Sequence, residues 1–230
     1  MMHLKQRIYI GTLLLLFSLT AMAQVGEMRN NFSIGVNGGI NMNSVSFTPT
    51  IKQGSLMGIT GGVTARYISE KYFAMICGIQ MELNYSQHGW KEKYEESTDS
   101  YSRTMDYVEI PLLAHLAFGR DRGVQFFLNL GPQIGFLLNE SEKFKYAGDK
   151  WDPGISVKEQ YEKMADNKFD YGIVGGAGFE LRTKAGNFLI EGRYYFALSD
   201  FYGNSKKDFF SRSAHSTIQA KMTYLFDISK

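Results

Sequence analysis

Eight stretches of the chain alternate apolar and polar residues, one by one, over lengths that strands in soluble proteins seldom reach. In "FSIGVNGGINMNSV" (32–45), Phe32, Ile34, Val36, Ile40 and Met42 share a face, opposite Ser33, Asn37, Asn41 and Asn43. The same pattern returns at 58–68, 73–87, 107–118, 124–138, 169–182, 188–198 and 216–228. A period of two is the signature of a strand with unlike faces. Ordinary strands run to ~5–6 residues, whereas a tilted strand that crosses a bilayer needs ~9–11.

The connections alternate as well. They fall at 45–57, 69–72, 88–105, 119–123, 139–168, 183–187 and 199–215, which reads long, short, long, short, long, short, long. Outer-membrane barrels carry long loops at one end and tight turns at the other. "SEKY", "GRDRG" and "KAGN" suit tight turns. The stretch 155–168 has a weak apolar face and reads as part of a loop. The fold class predicted is all-β: an eight-stranded antiparallel transmembrane β-barrel, built as an up-and-down meander.

Face chemistry decides which side is out. A soluble barrel has a greasy lumen and a polar exterior; a membrane barrel is inverted. Here the apolar face is large and aromatic, and water would not tolerate such a belt. The polar face therefore lines the lumen. It carries Arg66, Glu82, Glu109, Glu180, Arg182, Glu191, Arg193 and Lys221, with Gly35, Gly39, Gly62, Gly131, Gly135, Gly172, Gly176 and Gly178 leaving room for them. These eight charged residues are expected to form a structural cluster that plugs the barrel. With "KAGN" as the turn, Arg182 would face Leu189, Glu180 would face Glu191 and Gly178 would face Arg193. Tyr67, Tyr72, Phe73, Tyr85, Trp90, Tyr107, Phe118, Phe126, Phe169, Tyr171, Phe188 and Tyr224 lie near segment ends and are expected in two interfacial girdles.

The start of the chain has its own logic. Lys5 and Arg7 precede an apolar run from Ile8 to Leu19, and Ala21-Met22-Ala23 follows. This is the layout of a secretory signal peptide, so residues 1–23 are set apart from a barrel domain at 24–230. Losing Lys5 and Arg7 takes the formal charge of +2 to zero. A neutral chain lacks the basic face that a nucleic-acid partner requires. The single cysteine, Cys77, excludes an internal disulfide.

Several segments carry a family likeness. "MDYVEIPLLAHLAFG" (105–119), "LNLGPQIGFLL" (128–138), "GIVGGAGFEL" (172–181) and the N-terminal "SIGVNGGINMNS" resemble the Bacteroidetes outer-membrane β-barrel family that includes PorT. The resemblance covers essentially the whole mature chain. It implies an eight-stranded barrel in the outer membrane of a didermal bacterium and implies little about activity.

Chemistry is sparse. His115 falls on the lumen face, and His88 and His215 near outer strand ends. His215 with Ser211, Ser213 and Asp208 could imitate a hydrolase at the rim, but those are ordinary loop residues. No Cys or His cluster has ligand spacing, and "GGAG" lacks a strand-to-helix context. The expectation is a protein without enzymatic activity, cofactor or metal, with both termini periplasmic. It would serve membrane structure or a protein or glycan contact at the cell surface. A narrow channel for small solutes or ions is the alternative, and a rim-located hydrolase or acyltransferase comes behind it. Its surroundings would be outer-membrane lipid and lipopolysaccharide, with the loops 88–105 and 139–168 as the candidate protein-binding surface.

Overall fold

A computed structural model describes residues 26–92, 99–145 and 157–229; the predicted signal peptide lies outside them. Eight long strands dominate. They are β1 (Glu27–Thr48), β2 (Leu56–Tyr72), β3 (Met75–Glu92), β4 (Ser100–Gly119), β5 (Gly123–Lys145), β6 (Phe169–Arg182), β7 (Asn187–Ala197) and β8 (Arg212–Ser229). Each pairs antiparallel with its sequence neighbours, and β1 pairs with β8, so the sheet closes on itself. A two-residue stub, Gln53–Gly54, adds to the end of β3. Closure leaves no edge across the bilayer, where an unpaired backbone group has no water to turn to.

The alternation predicted from sequence fixes the faces. Leu130 is 61% exposed and Asn129 beside it 2%. Ile34, Val36, Ile40, Ile173, Ile190 and Met222 also point outward, while Asn37, Asn41, Gln80 and Thr217 are buried inside. The ladder is interrupted where proline removes a donor. Between β3 and β4 the pairing skips from Met81↔Leu112 to Asn84↔Glu109, around Pro111. Between β4 and β5 it skips from Pro111↔Gln133 to Ala114↔Leu130, around Pro132. Gly131 sits in that gap, where a Cβ would come within 1.9 Å of the Leu112 carbonyl oxygen.

Strand lengths correct the expected loops. Residues 88–92 and 100–105 belong to β3 and β4, and 139–145 to β5. The supposed loops 88–105 and 139–168 are therefore partly hairpin extensions; 93–98 and 146–156 lie outside the described residues. The strands run on because their alternation runs on. Ser86, His88, Trp90 and Glu92 keep the inward parity of Gln80, Glu82 and Asn84. A bulge in β5, where Asp106↔Asn139 is followed by Tyr107↔Leu137, marks the start of this extension. The 155–168 stretch contains a short 3₁₀ turn, Lys158–Gln160.

The interior is layered. Near the tight turns Ile68, Ile76, Ala117, Phe127, Leu189 and Leu225 form an apolar floor. Polar and charged residues fill the middle. At the loop-bearing end Phe47, Trp90, Tyr101, Phe201, Tyr202 and Phe210 pack into an aromatic core.

Candidate functional site

The middle layer is built from long side chains on strands that face each other across the lumen. Arg66 on β2 donates to both oxygens of Glu180 on β6, Nη1 to Oε2 at 2.6 Å and Nη2 to Oε1 at 2.8 Å. Arg193 on β7 grips Glu82 on β3 the same way, at 2.9 and 2.5 Å. Two-pronged guanidinium–carboxylate pairs are the strongest of the charge-assisted bonds. Lys221 on β8 adds a third donor to Glu82 at 2.7 Å, and Gln80 and Asn84 donate to it as well. Arg193 Nη2 also lies 2.8 Å from Glu191 Oε2.

Neutral groups join the two pairs into one network. Arg66 Nη1 sits 3.4 Å from His115 Nε2. A guanidinium can only donate, so Nε2 accepts and Nδ1 carries the proton toward Asn129 Oδ1 at 2.8 Å. Asn129 Nδ2 then donates to Glu191 Oε1 at 2.9 Å. Gly176 makes this possible, since a Cβ there would fall 2.6 Å from Glu191 Oε1 and 2.7 Å from Arg193 Cγ.

Of the eight charged residues singled out from sequence, Arg66, Glu82, Glu180, Glu191, Arg193 and Lys221 meet here. Arg182 sits at the inner margin, its Nε 3.6 Å from Glu180 Oε1 and its side chain 13% exposed. Glu109 belongs to a separate group nearer the loops. It accepts from Gln133 at 2.9 Å and lies 2.6 Å from His88 Nε2. His88 Nδ1 in turn contacts Thr217 Oγ1 at 3.0 Å.

The β6–β7 register differs from the expected one by two residues. Arg182 pairs with Asn187, Glu180 with Leu189, Gly178 with Glu191 and Gly176 with Arg193. The turn is Thr183 to Gly186 rather than "KAGN". The Thr183 N–H and hydroxyl both donate to the Gly186 carbonyl, and Gly186 takes φ +143°, which a side chain would resist. The observed register separates Glu180 from Glu191 and frees each for an arginine.

The hydrolase-like constellation and two girdle placements need correction. His88 and His215 lie near strand ends, within β3 (Met75–Glu92) and β8 (Arg212–Ser229), but face the interior; both are 1% exposed, their rings 5.1 Å apart. His215 stacks on Phe201 at 4.9 Å and lies 3.3 Å from the Tyr107 hydroxyl. Its supposed partners are engaged elsewhere: Ser213 Oγ accepts from Tyr202 N, and Asp208 accepts from Ser205. The residues do not assemble as a hydrolase site. Trp90 and Tyr107 are not girdle residues either, being 0% and 1% exposed within the mouth.

The mouth is organised around Arg103, which no pattern in the sequence singles out. Its guanidinium donates to Glu140 at 3.1 Å, to the Tyr202 hydroxyl at 2.9 Å, to Glu142 and to the Lys163 carbonyl. It also lies 5.5 Å above the Trp90 ring. Trp90 donates to Gln160 Oε1 at 3.0 Å, and Gln160 Nε2 donates to Glu92 at 3.0 Å. The 3₁₀ turn is thereby pinned over the barrel end.

A closed barrel with a greasy exterior and a charged interior is the architecture of an outer-membrane β-barrel protein; no helix among the described residues is long and apolar enough to cross a membrane. The sequence matches the outer membrane protein beta-barrel domain family over residues 22–203, and the chain belongs to that family. Solved structures align with the chain at low identity. Ail of Yersinia pestis is 17% identical, covering 86% of this chain and 100% of its own, with a TM-score of 0.38. OprG of Pseudomonas aeruginosa is 11% identical, covering 87% and 98%, at 0.45. Neisserial surface protein A is 14% identical, covering 85% and 97%, at 0.41. No curated protein matches the chain in sequence.

Proposed function

We propose that the chain is a non-enzymatic outer-membrane barrel, closed by its own side chains, whose loop-bearing end meets a glycan or protein surface outside the cell. The observation that carries this reading is the burial of the lumen charges. Arg66, Glu82, Glu180, Arg193 and Lys221 are each 3% exposed or less. A water-filled pore would wet such side chains; these bond to one another between an apolar floor and an aromatic cap. In this reading the cluster is structural, tying β2 to β6 and β3 to β7 and β8 across the lumen. The tight turns and both termini face the periplasm, and residues 1–23 are the cleaved leader. The wall contacts outer-membrane lipid and lipopolysaccharide. The regions 88–105 and 139–168 supply the surface for a protein partner. The PorT-like resemblance at 105–119 supports a place among Bacteroidetes barrels.

The test is conductance. The purified chain reconstituted in a planar bilayer is expected to show no stable openings. Discrete single-channel openings would replace this reading with that of a narrow channel.

A further inference from the structure

We propose that a pocket on the outer rim between β6 and β7 binds a hexose ring that carries no phosphate. The pocket is an open concavity of about 640 Å³ where the 166–171 segment meets residues 198–204. The inference rests on the reading above only in taking this end of the barrel to lie outside the cell.

Its wall joins two kinds of chemistry. On one side are Phe169 and Tyr171, both half-exposed, with ring centroids 6.1 Å apart and planes inclined by 30°. On the other are Asp166, Asn167, Asp200 and Asn204. The polar groups are held in place by the fold. Asp166 Oδ2 accepts from Gly203 N at 2.7 Å, and Asp200 Oδ1 from Ser213 N at 2.6 Å. Asn167 Nδ2 donates to the Asp200 carbonyl at 2.8 Å, and Asn204 Nδ2 to Asp200 Oδ2 at 3.0 Å. Asp166 Oδ2 also lies 3.5 Å from Lys163 Nζ; the other carboxylate oxygens keep a further lone pair, Asn167 keeps its side-chain carbonyl, and Asn204 keeps one N–H and its carbonyl.

A sugar ring presents a face of C–H groups and an edge of hydroxyls. The aromatic pair suits the face, and fixed acceptors and amides suit the edge. A few convergent polar groups in an apolar concavity is how small-molecule sites gain orientation. Charge selects within that class. Lys163, its Nζ 3.5 Å from Asp166 Oδ2, and Lys168 balance Asp166 and Asp200, so the pocket offers a phosphate no net positive charge and suits a neutral sugar. The position fits too, since interfacial aromatics mark the level of lipid headgroups.

Saturation-transfer NMR tests this with the full chain in a polyoxyethylene detergent, which has no sugar of its own. The probes are maltotriose, chitotriose and glucose 6-phosphate. Irradiating aromatic protons is expected to label one face of maltotriose or chitotriose and to leave glucose 6-phosphate unlabelled. Phe169→Ala and Tyr171→Ala should each abolish the transfer. Asn204→Ala should weaken binding about fivefold, the loss of one hydrogen bond. If the aromatic variants fail to fold, Asn204→Trp, which fills the pocket from an exposed position, should abolish transfer instead. Doping the micelles with a neutral digalactosyl lipid separates two sources: competition with maltotriose points to a membrane glycolipid, and its absence to a free polysaccharide. Absent transfer, transfer untouched by these variants, or transfer to the phosphorylated sugar alone would overturn the proposal. Labelling of an Asn204→Cys variant on intact cells reports independently whether this end faces outward.

Discussion

The middle of the lumen and its mouth are walled by the same strands with the same alternation, yet they are packed by opposite chemistry. In the middle the inward residues are Arg66, Glu82, Glu180, Arg193 and Lys221; at the mouth they are Phe47, Trp90, Tyr101 and Met105. The difference follows from what lies outside the wall. Across the bilayer the apolar residues are drawn outward to lipid, which leaves the polar set to fill the lumen. Beyond it the strands project into water, and the inward face reverts to the core of a soluble protein. Even the ion pairs change character. In the middle, charges close on each other in dry pairs. At the mouth, Arg103 is shared among carboxylates, hydroxyls and rings.

The severest way to break this contrast is Glu82→Ala. It leaves Arg193 and Lys221 buried beside one another, both having lost their shared carboxylate. Breaking one partner of a buried pair costs ~3–5 kcal/mol; Lys221 loses its carboxylate while Arg193 keeps Glu191 at 2.8 Å, so the loss should fall within that range. Urea unfolding in lipid vesicles measures it. A loss below ~1 kcal/mol, the value of an exposed pair, would mean the middle layer is wet.

Trp90→Ala probes the other region. Truncating a fully buried tryptophan costs ~3–5 kcal/mol, and the expected value is at the low end because water can enter the mouth. Trp90 packs 5.0 Å from Phe47 and 5.6 Å from Phe201, and it holds Gln160. The damage should be local: faster proteolysis within 157–167, with the barrel wall intact. Loss of the whole barrel would show that mouth and middle are one cooperative unit.

This division also marks what was legible in the sequence. The wall was, because period two assigns a face to every residue, as Leu130 and Asn129 show. Partners across the lumen were not. Arg66 and Glu180 are 114 residues apart, and alternation says that both point inward without saying at what height or from which side. The β6–β7 register slipped because it hinges on the Thr183 hydroxyl and the left-handed Gly186, not on hydrophobic pattern. The mouth was misplaced for another reason. Ending the strands at bilayer thickness moved Trp90 and Tyr107 into the girdles, although their parity within β3 and β4 is inward. The rim pocket was invisible, since it joins segments some thirty residues apart through loop geometry.

The gentlest probe sharpens the contrast by using charges outside the bilayer. At the tight-turn end Asp121 bonds Lys71 at 2.9 Å and Arg29 at 3.0 Å, with its side chain 47% exposed. The Lys71 hydrogen bond, helped by Arg29, holds the Asp121 carboxyl below its ordinary range. A depressed acid stabilises the fold while ionised, so the contribution is full above the ordinary aspartate range. It disappears as pH falls through the folded value. Asp121→Asn should therefore shift the unfolding midpoint only slightly at neutral pH, and the gap from the parent chain should close on acidification. Salt should close it too, because exposed charges are screened within ~10 Å at 0.1 M. The Glu82→Ala deficit should survive the same salt, since neither water nor counterions reach its partners. Equal salt sensitivity in the two variants would place the lumen charges in solvent, and the distinction between a dry middle and a wet exterior would fail.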